Sequence, residues 1–368
     1  MVVKIGILNE AQTGDRRVAA VPLMSSFMNK FSIEWFVETN AGNLSSFSNE
    51  NYQQQGMNIF SKEEEILSQV DIVLHISPNT FQRIGQYSKN TSRPLLTIGM
   101  MDALWEKDRF AKFGSLHMTS FALDLMPRIS RAQSMDVLSS MSTISGYKAT
   151  LIAADLMNKL IPMLTTAAGT NAPAKILVIG AGVAGLQAMA HAKRMGAIVS
   201  GYDVRPITVE QIQSVGAKPV LKEMLDSPTH DSRGYATELS EEVLEKQRKL
   251  LETSIIESDA IITTALVPGA KAPILITREM VSLMKLGSVI VDLAAERGGN
   301  CELTKAGEIV EEYGIKICGP VNLSSTVPYQ ASQMFSKNIC AFLKLLLKDG
   351  NIYIDKSDEI FQSTLLIP

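Results

Sequence analysis

Residues 175–205 constrain the fold of this chain more than any other stretch. An apolar run at 176–179, rich in β-branched residues, predicts a buried strand. The glycine-rich turn GAGVAG follows at 180–185, and then a helical pattern and a second apolar run at 198–202, which ends on Asp203. A strand, a G-x-G-x-x-G turn, a helix and a strand that ends on an acid form the dinucleotide-binding fingerprint of doubly wound α/β folds.

The residue types in this stretch suit a dinucleotide. Gly180 permits the tight turn, Gly182 lets the backbone approach the pyrophosphate, and Gly185 lets helix and strand pack closely. N–H groups at the start of the helix face the phosphates. Asp203 stands where a carboxylate accepts the adenosine ribose hydroxyls, and its charge would repel a 2′-phosphate, so the sequence favours NAD(H) over NADP(H). Arg205 leaves three roles open, which are contact with a 2′-phosphate, stacking on adenine and pairing with a neighbouring acid.

Length and composition restrict the class of protein. A chain of 368 residues predicts two domains. The net charge of −3 offers no basic surface for nucleic acid, and no apolar run approaches the ~20 residues of a membrane-spanning helix. The N-terminal sequence predicts a strand and not a signal peptide. The three cysteines lie far apart and are expected in the core, and neither they nor the four histidines have metal-ligand spacing.

The pattern of strands and helices predicts two Rossmann-like α/β domains with mostly parallel sheets, separated by a cleft and joined by two long helices. Residues 1–137 and 328–368 are expected to form the first domain, and residues 138–327 the NAD(H)-binding Rossmann domain. The first domain carries no glycine fingerprint. Its charged loop at 14–17 is interpreted as a substrate contact or, more often in such loops, a solvated turn.

Residues 126–140 connect the two α/β patterns and are expected at the cleft. Four polar residues of this stretch could bind a ligand there: Arg128, Gln133, Asp136 and Ser139. Ser134 is predicted to cap a helix that runs to about residue 160. The alternative interpretation is a capped helix with an acidic first turn, which the helix dipole also favours.

Further expectations concern loops and the C-terminal region. Residues 163–174 predict a hairpin that packs on another surface, with a second subunit as one candidate, and residues 226–236, which include Tyr235, predict a mobile lid. Residues 264–267 and 292–300 follow predicted strands and are therefore expected at the ligand crevice. The last strand is predicted at 315–318 and an amphipathic helix at 328–348, whereas the tail after Asp349 has no assignment.

These motifs, together with GYK at 146–148, DVR at 203–205 and ITTALVPG at 262–269, make the chain resemble a known family. It is similar to the NAD(H)-binding alpha component of proton-translocating NAD(P) transhydrogenases, and alanine dehydrogenase is a related family with the same two-domain plan. The resemblance covers the chain to about residue 348. It implies direct hydride transfer from NADH on this chain to NADP⁺ on a partner subunit.

The resemblance also implies a role for each matching residue. Arg128, Gln133, Asp136 and Ser139 would hold the nicotinamide end, with Gln133 and Asp136 orienting the ring. The remaining matches are to the pyrophosphate loop (Gly180, Gly182, Val183 and Gly185), the adenosine end (Asp203, Val204, Arg205, Ala265 and Leu266) and the tyrosine of a mobile loop (Tyr235).

Alanine dehydrogenases carry a lysine and a histidine that this chain lacks. Ser77 lies where the lysine would be, the segment 96–100 has no histidine, and Glu296 replaces the dehydrogenase's active-site aspartate, although Arg17 is retained. Without these acid–base groups, oxidation of an amino acid lacks a proton partner. Hydride exchange between two nicotinamides needs only positioning and exclusion of water.

The resemblance further implies a homodimer that exchanges the 163–174 hairpin, an NADP(H)-binding beta subunit and a membrane-spanning subunit. The chain would be cytoplasmic and peripheral on the inner face of the plasma membrane, and active only with its partners. The alternatives are an alanine dehydrogenase-like oxidoreductase and a non-catalytic NAD(H) sensor.

Overall fold

The computed structural model describes residues 2–90, 93–105, 117–220 and 241–367. The chain divides into two compact units. The first unit consists of Met1–Met141 and Ser324–Pro368, and the second of Ser142–Leu323.

Eighteen strands occur among the described residues. In chain order they are β1 (Val3–Ile7), β2 (Ile33–Glu38), β3 (Asn58–Phe60), β4 (Ile72–Leu74), β5 (Leu95–Gly99), β6 (Met118–Ala122), β7 (Leu164–Thr166), β8 (Gly169–Asn171), β9 (Lys175–Ile179), β10 (Ile198–Tyr202), β11 (Lys218–Pro219), β12 (Ala260–Thr263), β13 (Val289–Asp292), β14 (Ile309–Glu312), β15 (Ile315–Cys318), β16 (Leu347–Lys348), β17 (Asn351–Ile352) and β18 (Leu365–Ile367).

Short and long helices alternate with these strands. The α-helices are Met24–Phe27, Asn49–Gln54, Glu63–Leu67, Pro78–Ser88, Val137–Leu156, Val183–Arg194, Thr208–Ser214, Glu241–Glu257, Arg278–Leu283, Pro328–Leu346 and Glu359–Thr364. The 3-10 helices are Ala11–Thr13, Asn43–Ser45, Leu123–Leu125, Ser130–Met135, Ala295–Arg297 and Leu323–Thr326. None of the helices in the described ranges is long and apolar enough to cross a bilayer.

Each unit contains one seven-stranded, mostly parallel sheet. The first has the order β18-β6-β5-β4-β1-β2-β3, in which only β18 is antiparallel to its neighbour. The second has the order β11-β10-β9-β12-β13-β15-β14, in which only β14 is antiparallel. Its strand order reverses between β9 and β12, and doubly wound sheets bind ligands at the carboxyl ends of such strands. The predicted fold class of two α/β domains with mostly parallel sheets is confirmed.

The second sheet is buried on both faces, which explains why its strands are continuous apolar runs. Along β9, Ile176 and Val178 pack into one hydrophobic cluster, whereas Leu177 and Ile179 pack into the cluster on the other face. The period of two follows from the alternation of side chains along a strand. The three cysteines are buried, as expected.

The structure corrects two predictions about the elements. β15 is not the last strand, because β18 in the tail pairs with β6 and completes the first sheet. The helix that begins at Val137 ends at Leu156, and not near residue 160. Lys159 lies beyond the helix end, and its ammonium pairs with Asp259 Oδ2 at 2.7 Å.

The loop at 14–17 is only partly solvated, because Gly14 and Arg16 are exposed whereas Asp15 and Arg17 are buried. Arg17 is 4% exposed, and its guanidinium donates to both carboxylate oxygens of Asp15, at 2.9 and 2.6 Å. The same guanidinium donates to Ser324 Oγ at 2.8 Å. The Arg17 guanidinium is therefore already paired with a carboxylate of its own chain.

The first unit also buries Glu10 at the carboxyl end of β1. Its carboxylate oxygens accept hydrogen bonds from the N–H groups of Ile76 and Ser77 and from the Thr80 hydroxyl, at 2.6–2.8 Å. Burial, and then the nearby charge of Asp15, raise the pKa of Glu10 to about 7, although the three hydrogen bonds act in the other direction.

Glu10→Gln is expected to change how stability depends on pH. Because the pKa of Glu10 is about 7 when folded and 4.5 when exposed, the wild type loses stability as pH rises from 4.5 through 7. This loss is roughly 3 kcal/mol. Urea unfolding gives the free energy of unfolding of both proteins at pH 4.5 and pH 8. Between these two pH values, the wild type should lose roughly 3 kcal/mol relative to Glu10→Gln. A difference that stays constant with pH would contradict the assignment.

Candidate nucleotide-binding site

The glycine-rich turn after β9 is shaped by close packing at two of its three glycines. Gly180 has a φ of +100°, and a Cβ there would lie 2.4 Å from Thr264 Oγ1. A Cβ on Gly185 would lie 1.8 Å from the carbonyl oxygen of Gly180. Only glycine fits these two positions, because Gly180 combines a positive φ with close contact to Thr264 and Gly185 touches the backbone of the turn.

Gly182 differs from these two glycines. Its φ is −75°, which any residue adopts, and no atom of the described residues lies within 4 Å of an ideal Cβ. The fold therefore gives no reason for glycine here. Gly182 is the N-cap of the helix Val183–Arg194, and no side chain in the described part of the chain caps that helix end. An uncapped helix N-terminus beside an open glycine is the arrangement that admits a phosphate group to the backbone.

Asp203 follows β10 and has both carboxylate oxygens engaged. Ala181 N donates to Oδ2 at 2.7 Å, and the Arg205 backbone and side chain donate to both oxygens, each at 2.9 Å. Of the three roles open for Arg205, the structure shows pairing with the neighbouring acid, and this hydrogen bonding raises the pKa of the guanidinium. A ribose hydroxyl that reaches Asp203 must share these oxygens with Arg205 or displace it.

The loop after β12 carries Ala265 and Leu266. Thr264 Oγ1 donates to the Gly180 carbonyl oxygen at 3.1 Å, so this loop contacts the glycine-rich turn directly. Leu266 is 43% exposed, and Val204 is partly buried against the core below. The structure thus brings the predicted residues of the second unit together at the carboxyl ends of β9, β10 and β12.

Asn300 holds the Ala265 backbone on both sides, a role that the sequence analysis missed. Its Oδ1 accepts from Ala265 N at 3.0 Å, and its Nδ2 donates to the carbonyl oxygens of Ala265 and Pro273 at 2.8 and 2.9 Å. Asn300 lies in the 292–300 stretch that strand position had indicated. Its local sequence, which follows two glycines outside any strand, gave no signal that the side chain is fully buried.

Asp292, at the end of β13, organises the loop that carries Asn300. It is fully buried, and five donors of its own unit satisfy its oxygens: Thr263 Oγ1 (2.8 Å), Ala294 N (3.0 Å), Asn300 N (2.7 Å), Cys301 N (3.1 Å) and Thr304 Oγ1 (2.7 Å). These donors replace the water molecules that the carboxylate loses on burial.

Gly146 is a second residue whose role spacing did not reveal. A Cβ there would lie 2.1 Å from the Ala184 carbonyl oxygen. The helices Val137–Leu156 and Val183–Arg194 therefore touch through their backbones at this point. The signal was the glycine inside a helical pattern, which costs helix stability unless packing requires it.

The polar loop of the first unit holds the other four candidate residues. Gln133 lies in the 3-10 helix Ser130–Met135 and is exposed, as is Arg128. Asp136 Oδ1 accepts from Ser139 N at 2.9 Å, and its Oδ2 accepts from Ser139 Oγ at 2.6 Å. Asp136 is therefore the helix cap, and the prediction of Ser134 as the cap is wrong. The buried Val137, Met141 and Ile144 lie on the apolar side, as predicted.

Two further predicted features have different outcomes. Tyr235 and the predicted lid lie outside the described residues. Ser77, at the position of the missing lysine, caps the helix Pro78–Ser88 by accepting from Asn79 N at 3.1 Å. Nearby, His75 is buried against Gly99, and burial lowers its pKa to about 3. A group that stays neutral in this way does not serve as a proton donor near neutral pH.

Comparison with known proteins assigns the family. The model for "Alanine dehydrogenase/PNT, N-terminal domain" matches residues 6–145, and the C-terminal domain model matches residues 149–368. The first part of NAD(P) transhydrogenase subunit alpha from Rickettsia prowazekii is 38% identical over 363 residues, which cover 99% of this chain and 94% of that protein. Its counterpart from Rhodospirillum rubrum is 41% identical over 342 residues (92% and 89%).

A crystal structure of transhydrogenase from Sinorhizobium meliloti matches with a TM-score of 0.85 at 36% identity, over 99% of this chain and 98% of that chain. Alanine dehydrogenases are more distant, and the Bacillus subtilis enzyme is 26% identical over 333 residues (88% and 80%). Two domain models that together span nearly the whole chain, and relatives near 40% identity along its length, establish that the chain belongs to the alanine dehydrogenase/PNT family.

Proposed function

We propose that this chain is the NAD(H)-binding component of an NAD(P) transhydrogenase. The observation that carries the proposal is Gly182, a glycine that neither backbone conformation nor packing requires, at the uncapped N-terminus of a helix. A dinucleotide pyrophosphate explains it. Relatives that cover nearly the whole chain are named NAD(P) transhydrogenase subunit alpha, which supports the reaction.

The residues of the second unit bind the adenosine and pyrophosphate portions in this proposal. The pyrophosphate contacts Gly180, Gly182, Val183 and Gly185. Asp203 accepts the ribose hydroxyls once Arg205 yields some of its pairing, and Val204, Ala265 and Leu266 contact the adenosine. The exposed Leu266 offers the apolar surface that an adenine ring needs.

Arg128, Gln133, Asp136 and Ser139 bind the nicotinamide end, and Tyr235 closes over the nucleotide. Bound NADH supplies a hydride to NADP⁺ on a partner subunit. The chain's own task is to orient the ring and exclude water, since a hydride passed between nicotinamides releases no proton at the reacting carbon. The capping role of Ser77 and the internal pairing of Arg17 leave these positions without the acid–base and carboxylate-binding groups of an amino-acid dehydrogenase.

The β7–β8 hairpin supports a homodimer. All six strand residues are exposed, and Met163 beside it is 63% exposed. An isolated two-stranded hairpin is marginally stable, so a second copy of the chain that covers it accounts for its order.

We extend the proposal to an NADP(H)-binding beta subunit and a membrane-spanning subunit that couples hydride transfer to proton translocation. The chain is then peripheral on the inner face of the plasma membrane. The two functional domains correspond to residues 1–137 with 328–368 and to residues 138–327.

A mixed-subunit assay tests this function. The chain is combined with a purified NADP(H)-binding transhydrogenase subunit, and the reduction of an NAD⁺ analogue by NADPH is followed. Turnover is expected in the mixture and in neither component alone. Tight NADH binding without turnover in the mixture would refute the transhydrogenase role, and alanine-dependent NADH production by the chain alone would establish the dehydrogenase alternative.

A further inference from the structure

The loop that carries Gln133 and Asp136 is tied to the C-terminal region of the chain from two directions, both within the first unit. Asn338, in the helix Pro328–Leu346, donates from Nδ2 to the Ser134 carbonyl oxygen at 2.8 Å. Arg131 donates to both carboxylate oxygens of Asp358, in the tail, at 2.8 and 2.6 Å. The two ties flank Gln133 along the chain.

Asn338 is a costly residue at its position if stability is its only role. It is 7% exposed, its helix neighbours Ile339 and Cys340 are buried, and its Oδ1 accepts no hydrogen bond from any described residue. A buried amide with one unsatisfied oxygen stabilises a fold no better than an apolar side chain of similar volume. What the amide supplies and leucine would not is a directed bond to the loop backbone.

The Arg131–Asp358 pair likewise contributes more to the orientation of the two side chains than to the stability of the fold. The Arg131 side chain is half-exposed, and exposed ion pairs contribute little to folding. A two-bond pairing nevertheless fixes the orientation of both groups. Asp358 is itself held, because its Oδ1 accepts from Ile360 N at the start of the helix Glu359–Thr364. That helix leads into β18, which pairs with β6.

We infer that Asn338 and the Arg131–Asp358 pair are positioning residues for hydride transfer. They hold the turn at 130–135, so that Gln133 and Asp136 present the nicotinamide in a reactive orientation. The inference rests on the proposed function and gives the tail after Asp349 a role in it. Displacement of a reacting group by about 1 Å can lower a rate about 100-fold, so small movements of this turn matter.

The test compares Asn338→Leu with Ser336→Ala on the same helix. Ser336 Oγ accepts from Val21 N at 3.2 Å and so ties the helix to a different loop. We expect Asn338→Leu to lower kcat for hydride exchange about ten-fold, with NADH affinity within about three-fold of wild type. Its urea midpoint should not fall. Ser336→Ala should lower the midpoint and leave kcat unchanged, and an unchanged kcat in Asn338→Leu would overturn the role of Asn338.

A double-mutant cycle tests the ion pair. Arg131→Met and Asp358→Asn should each lower kcat about three-fold, and the double variant should be no slower than either single variant. Asp355→Asn, in the same exposed tail, is the control and should behave as wild type. Independent, multiplicative losses, or none, would exclude a shared positioning role.

The emission lifetime of bound NADH is the second readout, because it reports the nicotinamide environment without turnover. We expect Asn338→Leu and Arg131→Met to change it and Ser336→Ala to leave it as in the wild type. If the wild type binds NADH but exchanges no hydride with its partner, the proposed function fails. The lifetimes still decide the inference, since equal lifetimes in all variants would refute it.

Discussion

Gly182→Ala is expected to fold normally and to bind NADH about 10- to 100-fold more weakly than the wild type. The added methyl meets no atom of the described residues, and the φ of −75° suits alanine. The variant should therefore be as stable as the wild type, or up to about 1 kcal/mol more stable, because alanine restricts the unfolded chain. Only a pyrophosphate that approaches the backbone at this point would meet the methyl group. Fluorescence titration with NADH and urea unfolding measure the two effects.

Gly185→Ala is the matched control three residues later. Its methyl would lie 1.8 Å from the Gly180 carbonyl oxygen, so the turn or the helix must move. We expect a loss of about 3 kcal/mol in unfolding free energy, with weaker NADH binding as a consequence. If Gly182→Ala binds NADH as tightly as the wild type, the pyrophosphate does not lie over this turn, and the proposed function loses its main support.

Asp292→Asn should be the most destabilising conservative substitution in the second unit, with a cost of about 4 kcal/mol. An amide group cannot accept from all the donors that converge on the carboxylate, and at least two buried donors would lose their partner. The loss reaches the site because Asn300, whose backbone Asp292 holds, in turn holds Ala265.

Thr304→Val measures how much unfolding free energy is lost when a single donor to Asp292 is removed. It removes one of the five donors to Asp292 and should cost about 1 to 2 kcal/mol. Urea unfolding of both variants gives the comparison, and NADH titration at low denaturant gives the effect on the Ala265 loop. An Asp292→Asn variant within about 1 kcal/mol of the wild type would show that the carboxylate does not organise the loop.

Local sequence patterns were sufficient wherever structure depends on neighbours along the chain. The strand at 175–179, the glycine-rich turn and the strand that ends before Asp203 all lie as predicted, because burial period, turn conformation and strand length are properties of a short segment. The hairpin around Gly169 and the helix from Pro328 follow from the same kind of signal.

Most differences arise where a partner distant in sequence decides the outcome. The helix cap is the exception, because Asp136 takes the role predicted for Ser134 through its bonds to Ser139, only three residues away. Arg17 reads as a loop arginine in the sequence, and only the fold shows that Ser324, 307 positions away, shares its guanidinium with Asp15. The tail could not be assigned because β18 exists only through its pairing with β6.

The amino-acid sequence by itself determined that this chain forms two α/β units and carries a dinucleotide-binding turn. The spacing of glycines and apolar residues predicts each strand and turn from residues that are neighbours along the chain. Only the tertiary structure decided that Gly182 is free of packing demands, that Asp203 is already paired with Arg205, and that Asn338 and Asp358 reach the Gln133 loop. The ties from Asn338 and Asp358 join residues that are 204 and 227 positions apart, and such partners follow from strand order and helix placement, which no short segment encodes.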